Sequence, residues 1–278
     1  MSMIRKLTII LLLFITTSKT LAQHPSPKGE QAKQSTATKQ VSTFTIEAPQ
    51  LHTTKKIWIY LPKNYDSTKK KYPVMYMHDA QNLFDAKTSF VGEWNVDEKL
   101  DSLSAQVIVV GIEHGNEKRM NELTPYKNSN YGGGNADNYL EFIVKTLKPE
   151  IDTKYRTKTN ARNTAIMGSS LGGLVSYYAI LKYPTVFGRT GVFSPSFWFN
   201  TEIYTLMKNT HKLKSKIYFM CGDNESADMV SDLNKMDNLI AEKRCDCSNL
   251  TKTRIVKGGQ HNEKLWRDGF VKAYLWLF

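Results

Sequence analysis

The stretch Asn163-Thr164-Ala165-Ile166-Met167-Gly168-Ser169-Ser170-Leu171-Gly172-Gly173-Leu174-Val175-Ser176-Tyr177-Tyr178-Ala179-Ile180-Leu181 decides the fold of this chain. Residues 163–167 read as a short buried strand and residues 174–181 as a helix that Pro184 closes. Between them, Gly168 and Gly172 flank Ser170 two residues to either side. This is the pattern of a nucleophile elbow, a strained strand-to-helix turn that lifts a serine hydroxyl clear of the sheet. A side chain at either glycine is expected to collide with the neighbouring elements. Ser170 is the candidate nucleophile, and Ser169, which lacks the flanking, reads as structural. The pattern also recurs by chance, so the rest of the chain has to supply its context.

Working outward, further short apolar runs flank this unit at residues 74–77, 107–110, 191–193, 217–220 and 253–256. They lack polar alternation, as strands buried on both faces do. Helical patterns lie between them, with Tyr139, Phe142, Ile143 and Leu147 at three-and-four spacing and a closing helix carrying Leu265, Trp266, Phe270, Val271 and Tyr274. Two further strands, residues 43–46 and 56–61, open the domain as an antiparallel pair. The alternation predicts an α/β fold with a mostly parallel central sheet and helices on both faces. No internal repeat is present.

At 278 residues, with 41% apolar and 23% charged residues, one substantial domain is expected. Residues 1–22 carry Arg5 and Lys6, an apolar run from Leu7 to Ile15, and Thr20-Leu21-Ala22, which reads as a secretory signal peptide too short for a stable membrane span. The next stretch, residues 23–42, is polar and reads as a flexible tether, leaving 43–278 as the folded domain. Export to a periplasm or the exterior is expected. The net charge is +12, but the lysines are scattered with no compact basic run, so no nucleic-acid partner is expected. Cys221, Cys245 and Cys247 cannot all pair within one chain, and Cys245 and Cys247 are too close for an ordinary bridge. Surface thiols or a partial disulfide are expected. With the six histidines dispersed, neither a metal nor a cofactor is.

In parallel sheets ligands bind beyond the carboxyl ends of the strands. Those ends carry His78-Asp79-Ala80-Gln81-Asn82, Glu113-His114, Asp223 and Glu225, and Gly258-Gly259-Gln260-His261. A serine needs a general base, and the base needs a carboxylate to fix its tautomer. In the order serine, acid, histidine, only His261 follows both Ser170 and an acid-bearing strand end. His78 and His114 read as structural hydrogen-bonding groups near the site. His24 falls in the tether, His52 in an early turn and His211 in a surface helix. Spacing does not separate Asp223 from Glu225 as the acid, with Asp228 a weaker third. Backbone N–H groups of Leu171 and Gln81 are the candidate oxyanion donors.

Together, residues 76–85, Met167 to Gly173, Cys221-Gly222-Asp223-Asn224-Glu225-Ser226 and Gly258-Gly259-Gln260-His261 resemble the putative-esterase family of α/β-hydrolases. That family includes feruloyl and acetylxylan esterases, S-formylglutathione hydrolase, siderophore esterases and mycolyltransferases. The resemblance covers residues 43 to 278. It implies Glu225 as the acid and Gln81 as the second oxyanion donor. Two departures stand out: Glu225 where many relatives carry Asp, and Ala80 where glycine is common, which is expected to narrow the backbone beside the oxyanion site.

The polar, Gly- and Asn-rich segment from Asn116 to Gly134 is expected to shape a pocket, with Arg119, Tyr126 and Tyr131 as substrate contacts. Trp94 and Trp198 add aromatic surface suited to a phenolic acyl group or a sugar ring. The expected function is an exported serine esterase acting on acyl esters of carbohydrate, through a small-molecule or oligosaccharide substrate. A siderophore trilactone esterase is the alternative substrate reading, and a catalytically silent glycan-binding envelope protein the alternative from another class.

Overall fold

The computed structural model describes residues 34–278 except 211–212 and 244–248. The expected signal peptide, His24, His211, Cys245 and Cys247 therefore lie outside the described residues. Eight strands run β1 (Val41–Ala48), β2 (Thr53–Tyr60), β3 (Val74–His78), β4 (Ile108–Ile112), β5 (Thr164–Ser169), β6 (Arg189–Phe193), β7 (Lys216–Gly222) and β8 (Thr251–Val256). They form one sheet in the order β1-β2-β4-β3-β5-β6-β7-β8. β1 and β2 pair antiparallel, as does β2 with β4, and every later pairing is parallel. The central strands are wholly buried because both faces are covered.

The helices are α1 (Val96–Ser102), α2 (Arg119–Leu123), α3 (Ala136–Glu141), α4 (Lys148–Lys154), α5 (Leu171–Lys182), α6 (Glu202–Asn209), α7 (Met229–Ala241) and α8 (Glu263–Leu277). A π-helical turn, Phe142–Leu147, joins α3 to α4. One sheet face packs on α3 to α7 through residues such as Phe142, Val175, Phe197 and Leu233. The other packs on α1 and α8 through Leu100, Trp266 and Phe270. This is the α/β-hydrolase arrangement, and it matches the expected fold.

Two boundaries differ from expectation. β1 begins at Val41, and residues 35–38 are strapped to the body. Ser35 Oγ and Thr36 N donate to Asp85 (2.8 and 3.2 Å), Thr36 Oγ1 to Glu93 (2.8 Å) and Thr38 N to Asp97 (2.7 Å). Residues 35–38, expected to belong to the tether, are thus held to the domain: the Ser35 and Thr36 hydroxyls, which look like solvated filler in sequence, are donors to buried carboxylates. Cys221, expected as a surface thiol or disulfide partner, is a free thiol inside β7, where burial pushes it up to about 12.

Candidate active site

The turn between β5 and α5 holds Ser170 at φ 58°, ψ −121°, a left-handed conformation costly for a side-chain-bearing residue. It is fixed from both sides: Ser170 N donates to Phe193 O (2.9 Å), and Ser170 O accepts from Leu174 N (3.0 Å) and Ser196 N (3.2 Å). A Cβ on Gly168 would lie 2.8 Å from the Gly172 carbonyl carbon, so that glycine is required. Gly172 is different from expectation. Its Cβ would meet Asp79 Oδ2 and His78 Cβ at 3.4 Å, ordinary contact, whereas a Cβ on Gly173 would lie 2.7 Å from Phe193 O. The glycines demanded by packing are Gly168 and Gly173.

Glu225 and His261 meet where β7 and β8 end. A Cβ on Gly222 would lie 2.1 Å from Gly259 O, so the two strand-end loops touch backbone to backbone. His261 Nδ1 pairs with Glu225 Oε2 at 2.7 Å. Glu225 Oε1 accepts from Gly222 N (2.5 Å) and Ser194 Oγ (2.7 Å), and Ser194 Oγ in turn accepts from Trp266 Nε1 (2.8 Å). The Glu225 side chain is 1% exposed and the His261 side chain 37%. Asp223 instead accepts from Gly258 N (2.6 Å), and Asp228 stands at the start of α7, so neither contacts His261. Asn262 caps α8 by accepting from Leu265 N (3.1 Å), which sets the entry of the chain just after His261. The Trp266 edge packs against the imidazole at 5.0 Å between ring centroids.

Ser169, Ser170 and His261 line one cavity of about 630 Å³ together with His78, Asp79, Gln81, Asn82, Phe90, Trp94, His114, Arg119, Glu263 and Trp266. In the free protein Ser170 Oγ bonds Ser196 Oγ at 3.2 Å. Leu171 N–H belongs to the first turn of α5 and Gln81 N–H to the 3₁₀ turn Ala80–Asn82, positions whose donors find no acceptor within their own helix. The left-handed residue of that loop is Asp79 (φ 59°), so Ala80 takes an ordinary helical conformation and no glycine is needed there.

Asp79 grips Arg119 with two hydrogen bonds, from Nε (2.7 Å) and Nη2 (2.8 Å). Burial raises the Asp79 carboxyl, but the Arg119 charge and hydrogen bonds outweigh it and hold the group below its usual range. Burial lowers His78 to about 4, and its Nδ1 bonds Tyr139 Oη at 2.8 Å. Burial also lowers His114, whose Nδ1 accepts from Asn116 N (2.9 Å). Both therefore form hydrogen bonds at the cavity wall as neutral rings. The buried Lys55–Glu122 pair (2.5 Å), with Gly115 N also donating to Glu122 Oε2 (3.2 Å), anchors the segment that presents Arg119.

Of the expected substrate contacts, Trp94 and Arg119 line the cavity, but Tyr126 and Trp198 do not. The Tyr126 ring packs edge-on to Tyr178 and its backbone is held by Asn200 (3.2 and 2.9 Å). Trp198 is 53% exposed and packs edge-on against Tyr131 and Phe199 in a separate aromatic group. Placement in a loop at the sheet edge left the side-chain direction open, and packing on α5 turned Tyr126 away. The sequence reading missed Phe90, 86% exposed on the cavity rim, and the link from Trp266 through Ser194 to Glu225. Trp266 lies on the core stripe of α8, and nothing local marks its indole N–H as a donor across 72 residues to Ser194.

A buried carboxylate holding a histidine in the cavity of an elbow serine is the arrangement of an α/β-hydrolase that works on acyl groups. The chain belongs to the putative-esterase family, whose model matches residues 48–277. It is 26% identical over 182 residues to the endo-1,4-beta-xylanase/feruloyl esterase of Xylanibacter ruminicola, covering 62% of this chain and 23% of that one. It is 29% identical over 155 residues to the ferri-bacillibactin esterase BesA of Bacillus subtilis, covering 50% of this chain and 53% of that one. The fold matches the crystal structure of the BES protein from Bacillus cereus with a TM-score of 0.69 at 19% identity, covering 88% and 97% of the two chains. The family is one of carboxylic-ester hydrolases. Among the described residues no helix is long and apolar enough to cross a membrane.

Proposed function

We propose that the chain is an exported serine esterase in which Ser170, His261 and Glu225 form an acyl-transfer triad. The observation that carries this reading is the 2.7 Å contact of Glu225 with His261 Nδ1 in the cavity that also holds the strained Ser170. With Nδ1–H given to Glu225, Nε2 is the ring atom free to act as base. Nε2 takes the Ser170 proton as Oγ attacks the ester carbonyl, and the N–H groups of Leu171 and Gln81 receive the developing oxyanion. Nε2 returns the proton to the departing alkoxide, which leaves as the alcohol. Water then attacks the acyl-enzyme with the same base, releasing the acid and restoring Ser170.

Polar groups Gln81, Asn82, Thr88 and Asn116 share the lining with Phe90, Trp94 and Trp266, a mixture suited to an aromatic acyl group on a polar alcohol. Arg119 is neutralised by Asp79, and Glu263 adds an acidic group. The wall therefore offers no excess positive charge for a polyanionic ferric catecholate. This favours acyl esters of carbohydrate over a siderophore trilactone, although relatives named for each activity are similar to the chain. Hydrolysis of feruloylated and acetylated oligosaccharides beside a ferric catecholate trilactone tests the choice, and faster turnover of the trilactone would reverse it. Export rests on residues 1–22, and N-terminal sequencing of the mature protein beginning at Gln23 would support it.

A further inference from the structure

Residues 93–98 run from the cavity wall into α1, and three of their carboxylates converge. One ligating oxygen from each of Glu93, Asp97 and Glu98 lies within 4.8 Å of the other two. Glu93 Oε2 accepts from Thr36 Oγ1 (2.8 Å) and Asn95 Nδ2 (3.2 Å), Asp97 Oδ2 from Thr38 N (2.7 Å), and Glu98 Oε1 from Asn95 Nδ2 (3.4 Å). That leaves Glu93 Oε1, Asp97 Oδ1 and Glu98 Oε2 buried with no hydrogen-bond donor. Glu93 is 6% exposed and Asp97 fully buried. The Thr38 side chain reaches the Asp97 carboxylate, as its backbone N–H does.

A helix start favours acidic residues at Asp97 and Glu98. It does not account for three facing carboxylates taken out of water, which is strongly unfavourable unless a proton, as in the Asp97–Glu98 side-chain hydrogen bond, or a cation joins them. Among the described residues no lysine or arginine nitrogen pairs with these carboxylates, and Arg267 reaches only the Glu93 carbonyl (3.1 Å). The donor set is all oxygen, which suits Ca²⁺ or Mg²⁺ rather than zinc. Mg²⁺ usually keeps several waters and is held by one or two carboxylates, whereas Ca²⁺ takes a larger set of protein oxygens, so three converging carboxylates favour Ca²⁺. The expectation of no metal rested on scattered histidines and cysteines and did not weigh an oxygen-only group.

We propose that Glu93, Asp97 and Glu98, with the Thr38 hydroxyl, form a Ca²⁺ site that fastens the 35–38 strap to the rim of the cavity. The ion would sit between the strap and the segment carrying Phe90, Val91 and Trp94.

The test is calorimetric titration of the EDTA-treated full chain with CaCl₂ and, separately, MgCl₂, with thermal unfolding alongside. One Ca²⁺ per chain with a Kd of ~10⁻³ M or tighter is expected. Mg²⁺ should bind at least ~10-fold more weakly, and Ca²⁺ at 100 times its Kd should raise Tm by ~5 °C. Glu98→Gln, at a partly exposed position, should weaken Ca²⁺ binding ~10-fold or more while the protein stays folded. The proposal is overturned by an absence of saturable Ca²⁺ binding, or by unchanged binding in Glu98→Gln. A wild-type Tm indifferent to Ca²⁺, with Glu93→Gln more stable than wild type, would also overturn it and mark a proton-sharing cluster.

Discussion

Glu225 and Glu93 are both buried carboxylates one residue or one contact away from the cavity, and they are satisfied in opposite ways. Glu225 receives Gly222 N–H, the Ser194 hydroxyl and His261 Nδ1–H, so its charge is held by three donors fixed on three strand ends. Glu93 and its neighbours Asp97 and Glu98 face one another with an oxygen each left over. A carboxylate surrounded by donors can stay ionised and orient a base. A carboxylate facing carboxylates needs a proton or a cation, and burial raises Glu93 and Asp97 to about 7.

The largest expected effect on this contrast comes from Glu225→Gln, which keeps the shape but removes the charge that fixes His261. The kcat for a p-nitrophenyl ester should fall ~10³- to 10⁴-fold with little change in Tm. A loss under tenfold would show that the acid is dispensable. Next, Gly173→Ala should destabilise by ~1–3 kcal/mol in chemical denaturation, through the clash with Phe193 O, while Gly172→Ala stays near neutral. Equal losses at the two positions would return the steric requirement to the symmetric glycine pattern.

Trp266→Phe removes the donor to Ser194 together with part of the ring packed on His261 and Trp94, and should cost at least ~1 kcal/mol of stability, with a several-fold fall in kcat. Unchanged kcat would detach Trp266 from Glu225. The smallest effect concerns pH without Ca²⁺. Carboxyls raised to about 7 in the folded state hold protons that the unfolded chain has already released above its ordinary carboxylate range. Their contribution to stability is therefore greatest in acid and is lost as pH rises towards 7. The Tm difference between Glu93→Gln and wild type should widen from pH 5 to pH 8. A difference flat across that range would remove the electrostatic contrast with Glu225.

The sheet and the strand-end residues were legible because buried parallel strands are uniformly apolar and their ends must carry the polar chemistry. The strand-to-helix turn at Ser170 was legible from its flanking glycines, although packing assigns the second steric demand to Gly173. Spacing could not choose between Asp223 and Glu225, since that depends on which side chain turns towards a loop 36 residues away. Tyr126 and Trp198 were misplaced for a related reason: chain position gives the edge of the sheet, and packing gives the direction of the ring. The acidic cluster was half visible as Glu93, Asp97 and Glu98. Its other side comes from Thr36 and Thr38 in a polar stretch that composition assigns to a tether.

In the proposed function Ser170 is the nucleophile, with His261 held as its base by Glu225. Treatment with a fluorophosphonate, read by intact mass and peptide mapping, tests it directly. One phosphonyl adduct on Ser170 is expected, matching loss of esterase activity, with neither labelling nor hydrolysis in Ser170→Ala. An adduct on another residue, or ester hydrolysis persisting in Ser170→Ala, would contradict it.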